Sequence, residues 1–338
     1  MEGSQKKRVV VFGELLLRFT PRQYERFVQA QEFDARYTGA EANVAVSLSN
    51  FGMETFAVSK VPDHEIGQAC VNYLRRFGVN TNYILRGGER LGIVYIEIGA
   101  SQRTSKVIYD RSHTSFQEAT PEEFDWKQIL CGKDWFHFSG TAPSRGDNVV
   151  QILKEACSAA KELGLTISCD INYRSKLWTI EEARRVLPGI MKDVDVVICG
   201  PGDLREIFGI SSRKSDGGTY RGAMMKLQRR FNLSWVAMIL RKEPSASLNQ
   251  LNAILYDGEK IYQSRSYSIQ IVDRIGGGDA FTAGLIYGIL SDLRPKDTIE
   301  FAAAASCLKH TIPGDFNLVS LEEIRRLLEV ADSRSVER

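Results

Sequence analysis

Short runs of mostly apolar, β-branched residues alternate along this chain with stretches of helical periodicity, and no other feature restricts its fold as much. The runs are RVVVFG (8–13), TFAVSKV (55–61), DWFHFSG (134–140), LTISCDI (165–171), DVVICG (195–200) and WVAMIL (235–240). Each is too short for a stable helix and apolar at most consecutive positions, so each predicts a strand covered on both faces. Between them lie AEANVAVSLSNFG (40–52) and VVQILKEACSAAKELG (149–164), both ending on glycine as helices do, and TIEEARRVLPGIMK (179–192). This alternation predicts an α/β fold, a mostly parallel central sheet sandwiched between helices. At 338 residues the chain can close a large core, and no internal repeat or long linker divides it, so a single domain over 1–338 is expected.

Two segments interrupt the alternation. Residues 14–38 carry Leu15, Leu17 and Phe19 at alternate positions, and residues 91–111 (LGIVYIEIGASQRTSKVIYDR) read as an antiparallel hairpin with a polar turn. With the tip at Gln102, Tyr95 lies opposite Tyr109, and the two-residue period of a strand places Tyr95, Tyr109 and Arg111 on one face. Two phenols and a guanidinium on one face of a hairpin outside the core suit recognition better than packing. Both segments are expected to form a small flanking sheet, a lid.

Composition narrows the function. The net charge of +2 offers no global attraction for nucleic acid or an anionic membrane, and no apolar run reaches the roughly 18 residues a membrane helix needs. The start, MEGSQKKRVVVFG, lacks a long apolar stretch and a cleavage site, so it does not read as a signal peptide, and residues 1–7 are expected to be a disordered tail. The six cysteines form no C-x-x-C pair and suit free thiols in a reducing, cytoplasmic setting. The four histidines lack metal-ligand spacing, which speaks against a zinc site.

The stretch SIQIVDRIGGGDAFTAGLIYGIL (268–290) carries the chemistry. IQIV predicts a strand, and Ala280, Gly284 and Gly288 recur every four residues, so they line one face of a following helix and let it pack closely. Gly276, Gly277 and Gly278 thus join a strand to a helix N-terminus, where backbone N–H groups favour a phosphate or a phosphoryl group in transfer. A dinucleotide fingerprint would need G-x-G-x-x-G after the first strand, and a Walker A loop would end in G-K-[ST]; neither fits. Asp279 is either the cap of an ordinary helix or a base for an attacking hydroxyl, and this stretch alone leaves both open.

The run VDRIGGGDAFTAGLIYG resembles the C-terminal G-x-G-D signature of the ribokinase-like (PfkB-type) carbohydrate kinases, and TGAEANVAVSLSNFG (38–52) resembles their N-terminal glycine-rich motif. The likeness spans nearly the whole chain, and with GELLLRF, DINYRSKLW and LKHTIPGDFN it looks most like the branch that phosphorylates 2-keto-3-deoxygluconate. The resemblance implies a ribokinase-like αβα sandwich with a small β-sheet lid, ATP and Mg2+ as cofactors, and a sugar acid phosphorylated on its terminal hydroxyl. It implies roles for residues as well. Asp279 matches the catalytic base, and Gly276, Gly277 and Gly278 match the anion hole. Gly39 and Asn43 fall in the motif that lines the sugar pocket, and Tyr95, Tyr109 and Arg111 match lid positions that hold the acid sugar. Arg174 matches an arginine near the substrate and the transferred phosphate, and Asp315 a carboxylate near the substrate. Asn172 and Arg241, with Gly276 and Gly278, match the nucleotide side. Planar guanidinium groups such as those of Arg111 and Arg174 suit a carboxylate. Glu14 stands where many sugar kinases of the family have an aspartate that grips sugar hydroxyls.

The chain departs from the family in two places. Where N-x-x-E usually organises magnesium, it reads Gly200-Pro201-Gly202-Asp203, which leaves Asp203 as the candidate to reach Mg2+ through water. Asp273 matches an aspartate linked to monovalent cations in some relatives, but Arg274 and Ile275 replace the threonines beside it, so no potassium requirement is expected. SRKSDGGTYRG (212–222) reads as a variable loop. Lid sheets of this family often pair between subunits, which leaves a homo-oligomer open. The competing readings are a fructokinase or a 5-dehydro-2-deoxygluconokinase of the same type, and a weakly catalytic sugar-acid-binding protein on the kinase fold.

Overall fold

The structure, a computed structural model, describes residues 6–211 and 220–336. Residues 1–5 of the expected tail and residues 212–219 of the expected variable loop lie outside the described residues. From β1 (Arg8–Phe12) the chain leaves for β2 (Leu16–Pro21) and β3 (Phe33–Thr38), then returns through α1 (Ala40–Asn50), β4 (Glu54–Val61), α2 (Glu65–Arg75) and β5 (Asn80–Arg86). A second excursion makes β6 (Gly92–Glu97) and β7 (Lys106–Asp110). Next come α3 (Trp126–Leu130), β8 (Trp135–Ser139), α4 (Asp147–Glu162), β9 (Thr166–Asp170), α5 (Ile180–Ile190), β10 (Val196–Cys199), α6 (Pro201–Glu206) and α7 (Arg221–Phe231). The strands β11 (Trp235–Ser245), β12 (Leu248–Tyr256), β13 (Ile261–Gln263) and β14 (Tyr267–Gln270) precede α8 (Gly277–Leu290), α9 (Pro295–Lys309) and α10 (Leu321–Val336).

The main sheet runs β13-β12-β11-β10-β9-β8-β1-β4-β5, with β14 also paired to β12. It is parallel from β11 to β5 and antiparallel at the β12–β14 edge. The six apolar runs are β1, β4, β8, β9, β10 and β11, six of its seven parallel strands, the seventh being β5, and the three predicted helices are α1, α4 and α5. Alternate residues feed opposite layers, as strands covered on both faces must: Val10 and Phe12 join one apolar cluster with Phe136 and Phe138, while Val9, Val11 and Trp135 join the other. The strands β5, β12 and β13 escape the sequence reading because they carry polar residues such as Asn82, Asn249 and Gln263 between apolar ones. Among the described residues no helix is long and apolar enough to cross a membrane.

Helix α8 lies against α9 along the small-residue face foreseen at Ala280, Gly284 and Gly288. A Cβ on Gly284 would sit 2.7 Å from the Ala302 Cα, and one on Gly288 the same 2.7 Å from Thr298 Cγ2. Backbone cannot yield as a side-chain tip can, so Gly284→Val should destabilise the fold by about 2 kcal/mol, read as a lower urea midpoint at unchanged slope.

The two excursions form a separate four-stranded sheet in the order β3-β2-β6-β7, with β2 and β6 parallel. Its hairpin register corrects the expectation for Tyr95. Val94, not Tyr95, pairs with Tyr109, and Tyr95 pairs with Ile108. The turn is two residues wide, closed by the Ala100–Arg103 bridge with Ser101 at φ 51°, so its centre falls between residues rather than on Gln102. A shift of one residue sends every side chain to the other face. Tyr95 therefore stacks on Phe19, ring centroids 5.7 Å apart, on the face opposite Tyr109.

Candidate active site

A cavity of about 700 Å³ opens at the C-terminal ends of β1, β8, β9 and β10, where strand order turns outward in both directions from β1. Parallel α/β sheets form crevices at such points. The small sheet covers it with Leu16, Val94, Ile96, Val107 and Tyr109. Of the residues nominated from sequence, all line this cavity except Tyr95 and Gly277.

The floor is the glycine turn. Gly276 caps α8 at φ 79°, and a Cβ there would overlap the Asp315 carbonyl. Gly277 faces away from the cavity; its missing Cβ makes room for the His310 ring, and its carbonyl accepts the Ser306 hydroxyl at 2.7 Å. Gly276 and Gly278 line the cavity and Gly277 does not; the Gly277 N–H points to the Arg274 carbonyl at 3.4 Å, so any part it takes in an anion-binding wall would be through that backbone group. Asp279 follows in the first turn of α8, half-buried, where helix geometry leaves backbone N–H groups without carbonyl partners. Asn43 Nδ2 donates to Asp279 Oδ2 at 2.6 Å, and Thr38 Oγ1 lies 3.2 Å from Asn43 Oδ1 and bonds Asp315 Oδ2. Burial pushes the Asp279 carboxyl up to about 6, with Asp315 adding to the rise and Asn43 and Arg174 opposing it. Gly39, the N-cap of α1 at φ 155°, brings that helix to the site; a Cβ on it would sit 2.6 Å from the Glu14 carbonyl oxygen.

A second wall is acidic. Asp170 ends β9 and is pushed up to about 8 by burial and by the charges of Asp279 and Asp203. Asp203 is raised by burial and accepts the Gly200 N–H at 2.7 Å, which closes the first turn of α6. Among the described residues no three His, Cys, Asp or Glu side chains group closely enough to hold a metal ion by themselves. The two carboxylates nonetheless suit Mg2+, which keeps most of its waters and needs only one or two carboxylates besides phosphate oxygens. Asn172, at φ 38°, donates its N–H to Asp170 Oδ1 at 3.2 Å, the Arg174 charge opposes the rise of both carboxyls, and Arg241 lines the same cavity.

The third wall is an ion cluster. Glu14, just after β1, accepts Arg111 Nε at 2.9 Å and Nη2 at 2.5 Å on Oε2, and Thr114 Oγ1 at 2.7 Å on Oε1. Arg145 Nε is 3.2 Å from the same Oε2, and its Nη2 donates to the Arg111 carbonyl. Burial lowers the Arg145 pKa against the pull of Glu14. One carboxylate between two guanidinium groups leaves an excess positive charge at this end of the cavity, and Arg111 lies over the Tyr109 ring, 5.7 Å from its centroid. Glu14 is thus spent on arginine rather than on a sugar hydroxyl. Sequence reading missed Arg145 and Thr114 because each lies in a loop that tertiary contact alone brings to Glu14. Asp170 carried a readable signal, an acid at the end of a buried strand in DINYR. Arg274 pairs with Glu243 at 3.1 Å on the cavity rim.

The model of the pfkB family carbohydrate kinases matches residues 6–318. The chain is 46% identical to a solved structure of 2-dehydro-3-deoxygluconokinase from Thermotoga maritima, with a TM-score of 0.94 over 96% of this chain and 99% of that one. It is 30% identical over 325 residues to the 2-dehydro-3-deoxygalactonokinase of Haloferax volcanii, covering 96% of this chain and 98% of that protein. It is 24% identical to the 5-dehydro-2-deoxygluconokinase of Shouchella clausii over 97% of both chains. A mostly parallel sheet with a smaller separate sheet, a glycine–aspartate turn at the head of a helix and a match over nearly the full length agree, and the chain belongs to the pfkB family of carbohydrate kinases, phosphotransferases that act on a sugar hydroxyl.

Proposed function

We propose that this protein transfers the γ-phosphoryl group of ATP to the terminal hydroxyl of a 2-keto-3-deoxy sugar acid, with 2-keto-3-deoxygluconate the first candidate. The observation that carries the acid preference is the Glu14–Arg111–Arg145 cluster, one carboxylate between two guanidinium groups, whose Glu14 and Arg111 line the same cavity as Asp279. A substrate carboxylate neutralises the excess positive charge with charge-assisted bonds, which a neutral sugar cannot offer. The names of the relatives at 46% and 30% identity support the same class.

Asp279 orients the hydroxyl and takes its proton late, since phosphoryl transfer has a loose transition state. The hydroxyl oxygen bonds to the γ-phosphorus as the bond to the departing ADP oxygen breaks. Backbone N–H groups at Gly278 and Asp279 and the guanidinium groups of Arg174 and Arg241 hold phosphoryl oxygens. Asp203 and Asp170 would hold Mg2+ through water, and the ion when bound neutralises charge on the phosphates. The small sheet acts as a lid that keeps water from the phosphoryl group.

ADP release with magnesium, compared across 2-keto-3-deoxygluconate, 2-keto-3-deoxygalactonate, 5-keto-2-deoxygluconate and fructose, tests this. A preference for fructose overturns the acid reading, and no turnover with any sugar favours a binding protein. The base must be ionised to work, and its pKa is raised to about 6, so kcat/KM should be full above that pH and decline as pH falls through about 6. A profile flat down to the ordinary carboxylate range would remove Asp279 from the role.

A further inference from the structure

Arg18 does not line the cavity, and its side chain is only 2% exposed. It stands on β2, in the small sheet, yet its guanidinium ends among residues of the main body. Nη2 donates to Asp273 Oδ2 at 2.9 Å, Nη1 donates to Asp315 Oδ1, and Nε donates to Thr20 Oγ1 at 2.8 Å. Asp273 in turn accepts the Ile275 N–H at 3.1 Å and the Gly314 N–H at 3.0 Å, which ties the start of the glycine turn to the 313–315 loop. Arg36, directly opposite Arg18 on β3, grips that loop as well, donating to the Pro313 carbonyl at 3.0 Å. From Arg18 an unbroken line of polar contacts runs through Asp315, Thr38 and Asn43 to Asp279.

We infer that Arg18 is a positioning residue for phosphoryl transfer: its forked guanidinium fixes the 273–276 turn against the 313–315 loop and the small sheet, and so sets where Asp279 meets the hydroxyl. The inference rests on Asp279 as the base. Two carboxylates from separate segments need two N–H donors at a fixed angle, which a guanidinium has and an ammonium lacks. The strand β2 cannot shift relative to the turn and the 313–315 loop without breaking two buried charge-assisted bonds, one to each. A substrate that draws the small sheet down therefore also seats the base. Burial works against the Arg18 charge, and Asp315 and Asp273 outweigh it, so its pKa is raised. Lys309, buried and donating to the Asp273 carbonyl at 3.2 Å, completes a neutral group of two cations and two carboxylates. The other charged groups that act on Asp279 or feel its charge are Arg174, Asp170 and Glu41, and none of them contacts Arg18.

The test compares wild type with Arg18→Met, Arg18→Lys and Thr38→Val in the ADP-release assay, with Tm measured on each. Misplacing a catalytic group costs on the order of 100-fold, so Arg18→Met should lose about that much kcat while KM for ATP stays within about threefold. Its acidic limb should move to higher pH, because Asp273 and Asp315 without their counter-ion disfavour the ionised base. Arg18→Lys keeps the charge, so its limb should stay near that of wild type while kcat remains low. Thr38→Val cuts the line without changing charge and should lower kcat by about tenfold with the limb unmoved. Wild-type kcat in Arg18→Met overturns the inference, as does a loss that comes with an unmoved limb and a fallen Tm alone. Should Arg18→Met fail to fold, wild-type kcat in both Arg18→Lys and Thr38→Val overturns it. A wild-type protein inactive with every sugar would instead overturn the reading of Asp279 itself.

Discussion

Asp279→Ala is expected to lower kcat for 2-keto-3-deoxygluconate by about 10³-fold, within the range a positioned general base contributes, and to leave binding of sugar and ATP intact. Asp279→Asn should fall nearly as far. The amide keeps the shape and the packing on α8, but it cannot accept a proton as a carboxylate does, and it faces the Asn43 amide that now donates to Oδ2 at 2.6 Å. Calorimetric titration with each substrate, run beside the ADP-release assay, separates lost chemistry from lost binding. Near-normal turnover in either variant would remove Asp279 from the mechanism and leave it a structural partner of Asn43.

Arg111→Ala should reduce kcat/KM for keto acids by about 10- to 100-fold, the worth of one charged hydrogen-bonding group in a buried setting, and should change turnover of fructose far less. The guanidinium is fixed before substrate arrives: Glu14 holds its Nε and Nη2, Arg145 donates to its carbonyl, and Tyr109 lies beneath it. A preset donor loses little freedom on binding, which raises its value to the acid substrate. Without Arg111, Glu14 keeps Arg145 and Thr114, and the excess positive charge at that wall is gone. Equal losses for acid and neutral sugars would show that Arg111 shapes the cavity rather than reading the carboxylate. Arg111→Lys should recover only part of the activity, since a point charge cannot bind Glu14 and a substrate carboxylate in one plane.

Much of this arrangement was legible in one dimension. The runs at 8–13 and 134–140 are largely apolar at consecutive positions because both faces of the central strands are covered, and their alternation with helical stretches is what points to a parallel sheet between helices. Gly284 and Gly288 announced a close helix–helix contact because a missing side chain every four residues has few other uses. The segments 14–38 and 91–111 stood out as strands without a place in the alternation, and they pair with each other in the small sheet. The hairpin register was not legible, because tips at Gln102 and between Ser101 and Gln102 have equally polar turns; one residue of difference moved Tyr95 from the cavity to the outer face.

By itself the sequence determined the layers, the six central strands, the helices α1, α4, α5 and α8 and the glycine–aspartate turn, since these depend on local periodicity, propensity and backbone freedom. Only the tertiary structure decided which charges meet. Glu14 could grip a hydroxyl or an arginine, and it is the arrival of Arg111 and Arg145 from distant loops that commits it. Gly277 reads like its neighbours until the His310 ring fills the space beside it. Arg18 sits in an ordinary alternating strand, and nothing local marks it as the partner of Asp273 and Asp315, some 250 and more positions away. Burial and ion pairing are properties of three-dimensional neighbours, so the fold can be read along the chain while the electrostatics of its site cannot.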